Sequence, residues 1–145
     1  MCRVDFDYNK SLEMKSLYTI TKRGVQDLIL TPASAEHTHT LIWMHGLGDS
    51  AMGFLDIFDS EISPVPPSTK VVLPTAPLRP VTLNGGMAMN AWFDILTLDT
   101  SLGAETKRYN EEHIEESSKS IQAMVTEEQE ILGNDANKVF LGGFS

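Results

Sequence analysis

Thr40-Leu41-Ile42-Trp43-Met44-His45-Gly46-Leu47-Gly48-Asp49 decides the fold of this 145-residue chain. Its first five residues form an apolar run of strand length, too short for a helix and suited to a buried central strand. The glycines that follow at once turn the chain out of the strand. Toward the N-terminus, Leu17-Tyr18-Thr19-Ile20 and Val25-Gln26-Asp27-Leu28-Ile29-Leu30 are β-prone runs separated by Thr21-Lys22-Arg23-Gly24, a pattern that predicts a hairpin. Toward the C-terminus, residues 53–58 are amphipathic and predict a short helix. The proline-rich residues 63–68 then make a loop, and Lys70-Val71-Val72-Leu73 reads as a second buried strand. Pro74, Pro77 and Pro80 can neither donate to a ladder nor continue a helix, so residues 74–94 are expected to be mostly loop. A loop that long in a compact domain commonly serves a binding site.

Residues 111–132 place Ile114, Ile121, Met124, Val125, Ile131 and Leu132 at helical spacing, with seven glutamates mostly on other faces. The expectation is a helix whose acidic residues form a solvated face. Lys138-Val139-Phe140-Leu141 then predicts a strand running into Gly142-Gly143-Phe144-Ser145. Strands alternating with helical segments point to one α/β domain, a mainly parallel sheet with flanking helices. In such sheets ligands gather at the carboxyl ends of the strands, which is where residues 45–49 and 143–145 both fall.

Composition narrows the partners. A chain that is 41% hydrophobic and 21% charged is ordinary globular material. Its net charge of −9 argues against nucleic acid, whose binding needs a basic face. The same charge disfavours a polybasic membrane contact, and no apolar run is long enough for stable membrane insertion. Cys2 is the only cysteine, which excludes an internal disulfide and fits a cytoplasmic location. It is expected to be an exposed free thiol, reversible acylation being the alternative.

A serine hydroxyl attacks a carbonyl only when a base takes its proton and donors stabilise the oxyanion. Gly143-Phe144-Ser145 supplies the first three positions of the G-x-S-x-G turn that lifts such a serine above a sheet edge. Taken alone, the tripeptide reads first as a structural loop at a strand end. His45-Gly46-Leu47-Gly48 could be an ordinary strand-to-helix turn, or a glycine-rich loop in which the Leu47 N–H faces an oxyanion while Gly46 and Gly48 shape the backbone. His45 then holds the loop, because in this chain order the catalytic histidine follows the serine. His37 and His39 would share one side of a strand, but no further ligand completes a metal site, so a solvent-exposed pair is expected. No P-loop or dinucleotide fingerprint is present.

Taken together, Ile42-Trp43-Met44-His45-Gly46-Leu47-Gly48-Asp49, the stretch from Pro74 through Asn84-Gly85-Gly86-Met87 to Ala91-Trp92-Phe93-Asp94-Ile95, and Val139-Phe140-Leu141-Gly142-Gly143-Phe144-Ser145 resemble the acyl-protein thioesterase and phospholipase/carboxylesterase family. The resemblance implies an α/β-hydrolase fold, with Ser145 as nucleophile and Leu47 as oxyanion-hole donor. It also places Trp92 and Phe93 beside an acyl groove, although simple core packing is an equal reading of that pair. The implied substrate is an S-acylated protein or a lipid ester, cleaved with no cofactor or metal. The family's Asp and His fall beyond Ser145, so residues 1–145 are expected to be the N-terminal part of a single domain. That part alone should be inactive and poorly soluble. Asp94 and Asp99 precede the serine and do not fill the gap. The alternative is a non-catalytic truncated paralogue that binds lipid or a protein partner.

Overall fold

The computed structural model describes residues 16–24 and 26–145. Cys2, and Val25 at the start of the second expected strand, lie outside them. In chain order the elements are β1 (Tyr18–Arg23), β2 (Asp27–Pro32), β3 (His39–Met44), α1 (Met52–Phe58), β4 (Thr69–Leu73), β5 (Leu78–Val81), β6 (Met87–Asn90), α2 (Glu111–Ile131) and β7 (Val139–Gly143). Five strands form one sheet in the order β1-β2-β4-β3-β7. β3 lies parallel to β4 on one side and to β7 on the other, while the β1–β2 hairpin joins antiparallel at the far edge.

The period-2 alternation of the strands builds a core on each face. Leu41 and Trp43 of β3 point toward α1, joining Leu28, Leu30, Val71, Leu73, Phe54 and Phe58. Ile42 and Met44 point the other way, joining Val72 and the Ile121 and Met124 of α2. The Trp43 ring meets Phe58 edge-on at 5.6 Å and Phe54 at 5.8 Å. Burying one such side chain contributes about 1.5–3 kcal/mol, so a two-sided strand at the centre of the sheet is what the apolar run 40–44 selects. Among the described residues, no helix is long and apolar enough to cross a membrane.

Three expectations need correcting. Residues 74–94 are not mostly loop, because β5 and β6 pair antiparallel as a separate two-stranded ribbon. Each strand of a lone pair is an edge, so Pro80 can sit opposite Ala88 with its missing N–H directed away from the partner. Nor do all the acidic residues of α2 face solvent. Glu128 is 2% exposed; its carboxylate accepts from Thr40 Oγ1 on β3 at 2.9 Å and from Lys70 Nζ on β4 at 2.5 Å. The spacing had the signal, since Ile121, Met124 and Glu128 lie three and four residues apart on one stripe. Ile114 and Ile131, at the ends of that stripe, are exposed.

His37 adds a fourth group to this network. It precedes β3, so it does not share a strand face with His39, and it is half-buried where an exposed residue was expected. Thr40 Oγ1 gives its proton to Glu128, so the 2.8 Å contact between His37 Nε2 and Thr40 Oγ1 requires the imidazole to donate. Burial, followed by the positive charge of Lys70, holds the His37 pKa below the ordinary histidine value, against the pull of Glu128. A depressed pKa means that the folded state resists protonation. The stability this represents is complete above the unfolded value of about 6.5 and is lost as pH falls through the folded one. The melting temperature of a His37→Gln variant should therefore fall less steeply than that of wild type as pH is lowered from about 7.5 to about 5. Equal slopes would exclude His37 as the source of the acid sensitivity.

Candidate active site

The chain reverses its direction of travel across the sheet at β3. From β3 it crosses through α1 to β4, and from β4 it returns past β3, through α2, to β7. Where neighbouring connections part in this way, a crevice opens at the carboxyl ends of the strands. Residues 45–49 leave β3 there, and Phe144 and Ser145 leave β7 beside them. Phe144 N–H donates to Met44 C=O at 3.1 Å. A Cβ added to Gly46 would lie 3.1 Å from the Phe144 carbonyl oxygen and 3.6 Å from Ser145 Cα. The two glycine-flanked motifs are in van der Waals contact, and only a residue without a side chain fits between them without pushing them apart.

Within the first loop, Asp49 N–H donates to Gly46 C=O at 3.2 Å, closing a four-residue turn. Gly48 occupies its third position with φ +80°, as a type II turn requires. Such a turn leaves the N–H groups of its two central residues unused. Gly48 N–H is taken by Asn90 C=O at 2.8 Å, whereas Leu47 N–H has no partner among the described residues. His45 is 2% exposed and spoken for at both ring nitrogens. Nε2 accepts from Ala76 N–H at 2.9 Å, so Nδ1 carries the proton and donates to Gly46 C=O at 2.6 Å. An imidazole fixed this way has no lone pair left to take a proton from Ser145.

Ser145, Leu47, Gly46, Met44 and Ile95 line a cavity of about 350 Å³ whose wall includes Trp92 and Phe93. Both aromatic residues also serve as packing. Trp92 Nε1 donates to His45 C=O at 2.9 Å, its ring lies 5.3 Å from the His45 ring, and its own carbonyl accepts from Ser117 Oγ of α2. Phe93 meets Tyr109 edge-on at 5.4 Å. Trp92 is thus both packed against the core under α2 and part of the cavity wall, whereas Phe93 lines the cavity and rests against the exposed Tyr109.

Asp94 is buried and bound by Thr82 through N–H at 2.7 Å and Oγ1 at 2.8 Å. Burial alone would raise its carboxyl, but those hydrogen bonds, with His113 and Arg79 nearby, hold it below the usual carboxylate range. Its oxygens tie the turn after β5 to the chain before α2. Asp99 is exposed and hydrogen-bonded to Ser101 N–H and Oγ. Neither carboxylate lines the cavity with Ser145. His39 contacts Thr38 Oγ1 and the Phe140 ring, and among the described residues no three His, Cys, Asp or Glu side chains gather to hold a metal. Sequence reasoning passed over Asn90 and Ala76: Ala76 holds His45 through its backbone N–H, and Asn90 holds the loop through its backbone carbonyl and its side-chain amide.

Comparison with known proteins places this arrangement. The Phospholipase/Carboxylesterase family model matches residues 26–145. The chain is 40% identical over 122 residues to acyl-protein thioesterase 1 of Cryptococcus neoformans, covering 84% of this chain and 49% of that protein. It is 37% identical over 132 residues to acyl-protein thioesterase 1 of Mycosarcoma maydis, covering 83% and 52%. Among solved structures, Zea mays acyl-protein thioesterase 2 superposes with a TM-score of 0.58 at 30% identity, covering 83% of this chain and 46% of that one. Arabidopsis thaliana SOBER1 does so with 0.59 at 28%, covering 74% and 49%. The chain spans about half the length of the relatives it matches. With the family model matched across both glycine-flanked corners, and relatives of the same family at up to 40% identity, the chain belongs to the phospholipase/carboxylesterase family and carries its α/β-hydrolase fold.

Proposed function

We propose that the protein is a serine hydrolase that cleaves acyl thioesters or carboxylic esters through an acyl-enzyme on Ser145. Ser145 Oγ bonds to the acyl carbon and its proton passes to a base. The C–S or C–O bond breaks, the thiol or alcohol leaves protonated, and water repeats the exchange to release the carboxylic acid. Leu47 N–H donates to the oxyanion, with His45, Gly46 and Gly48 holding it in place. Trp92 and Phe93 border the acyl chain. The observation that carries this reading is the contact between the Gly46 corner and the Ser145 corner, which puts an unpartnered amide and a strand-end serine on one cavity.

This chain supplies the nucleophile half of one α/β-hydrolase domain. His45 is the only histidine on the cavity among the described residues, and its nitrogens are occupied. That the relatives are about twice the length the chain spans supports a base and orienting carboxylate contributed from outside residues 1–145, in the order Ser, Asp, His. The relatives' name, acyl-protein thioesterase, supports S-acylated proteins as substrates, with lipid esters as a chemically related class; a cytoplasmic location and a reaction without metal or cofactor are part of the same proposal. The test is to express the protein with the sequence that follows Ser145 in its transcript and treat it with a fluorophosphonate probe. Covalent label mapping to Ser145 is expected. Absence of label on a folded, extended protein would leave the non-catalytic lipid- or protein-binding paralogue as the better reading.

A further inference from the structure

We propose that Asn90 is a positioning residue for the oxyanion loop, acting as a two-point clamp from the β5–β6 ribbon. The proposal rests on the hydrolase reading above and adds a residue to it. Asn90 ends β6 and grips the loop twice: its carbonyl accepts from Gly48 N–H at 2.8 Å, and its side-chain Nδ2 donates to Asp49 C=O at 2.8 Å. These two contacts bracket the peptide between residues 48 and 49. The first fixes which way the central peptide of the turn faces, because rotating that peptide by half a turn converts type II to type I and withdraws the Gly48 N–H. The second holds the exit of the turn, where Gly48 at φ +80° gives the backbone freedom to drift.

The consequence falls on Leu47. The turn's own hydrogen bond uses Asp49 N–H and the clamp uses Gly48 N–H, so the loop is left with Leu47 N–H as the free donor of its two central amides. Oxyanion stabilisation depends on a donor fixed before charge develops, since reorienting a loose amide offsets part of the gain. The ribbon is itself held in place: Ala91 N–H donates to Pro77 C=O at 3.0 Å, and Trp92 Nε1 donates to His45 C=O. With the two residues that follow Asn90 anchored in this way, to Pro77 just before β5 and to His45, the ribbon end can transmit rigidity to the loop. Asn90 does not line the cavity with Ser145, so it acts through the loop and not on substrate.

Asn90→Ala in the protein extended past Ser145 removes the side-chain donor and keeps the backbone acceptor; Asn90→Asp keeps the size and loses the donor. Both are expected to lower kcat for a soluble acyl thioester by about 10-fold, short of the roughly 10²–10³ that losing an oxyanion donor costs. KM should stay within about twofold, because ground-state binding does not use the clamp. Hydrogen exchange at the Gly48 and Asp49 amides should accelerate in both variants while amides of α2 around Met124 keep their protection. Unchanged kcat, or a loss of rate confined to KM, overturns the proposal. Unchanged exchange at Gly48 overturns it whether or not the protein is active. A wild-type extended protein that neither turns over nor labels at Ser145 fails the hydrolase reading instead, and the exchange comparison still decides whether Asn90 clamps the loop.

Discussion

Ser145→Ala in the extended protein is expected to lower kcat for a thioester substrate by about 10⁴- to 10⁶-fold, the scale seen when a nucleophile that works as a unit with its base is deleted. The residual rate comes from the oxyanion donor and from substrate binding, which the substitution leaves intact. Three features separate this effect from a structural one. Ser145 is exposed, so losing its hydroxyl leaves no buried polar group without a partner. It follows β7, whose pairing with β3 runs from Val139 through Gly143 and does not involve it. KM should also change little, because Oγ contributes to bond formation and not to the apolar wall of Trp92 and Phe93. The measurement is steady-state hydrolysis beside a thermal melt of the same preparations. Equal turnover by wild type and Ser145→Ala, at equal melting temperatures, would move the chemistry away from Ser145 altogether.

How much of this was legible in the sequence depends on what kind of contact carries each feature. β3 and β4 were readable because a parallel strand covered on both faces must be apolar on both, and Leu41-Ile42-Trp43-Met44 and Val71-Val72-Leu73 are. β7 was readable from its β-forming run Val139-Phe140-Leu141, although it is an edge strand with Phe140 and Leu141 exposed. The hairpin was readable because two β-forming runs lie on either side of Gly24, although Thr21-Lys22-Arg23, expected in the turn, extend β1 instead. Their meeting at one crevice followed from topology alone, since two loops leaving adjacent parallel strands at the same end must be neighbours. The β5–β6 ribbon was hidden by its prolines. Pro80 argues against a strand only where both edges of that strand are paired, and the sequence does not show that β5 has one partner. The Asn90 clamp was hidden for another reason: half of it is a backbone carbonyl, which every residue has. The two fixed nitrogens of His45 belong to the same class, because Ala76 contributes only its N–H.

Glu128→Ala is expected to be the most damaging single change to the fold itself, at about 3–5 kcal/mol. Replacing a surface glutamate of α2, such as Glu127, should instead shift stability by no more than about 1 kcal/mol, as exposed ion pairs do. The difference lies in what is left behind. Lys70 is 13% exposed at its side chain and has Glu128 at 2.5 Å; without the carboxylate its ammonium is desolvated with no counter-charge. Thr40 Oγ1, fully buried, loses the acceptor for its proton. His37 in turn keeps a hydrogen bond to a hydroxyl whose orientation is no longer set. All three partners sit on or beside β3 and β4, so the lost carboxylate also releases the contact that pins the C-terminal half of α2 to the strands feeding the crevice at residues 45–49 and 144–145. Equilibrium denaturation of wild type, Glu128→Ala and the pair Glu128→Ala with Lys70→Met checks this. If the buried charge is the cause, the double substitution should recover a large part of the loss, because it removes the unpaired ammonium along with its partner. A Glu128→Ala variant as stable as Glu127→Ala would mean that α2 is held by Ile121 and Met124 alone, and that the network contributes nothing to holding the helix on the sheet.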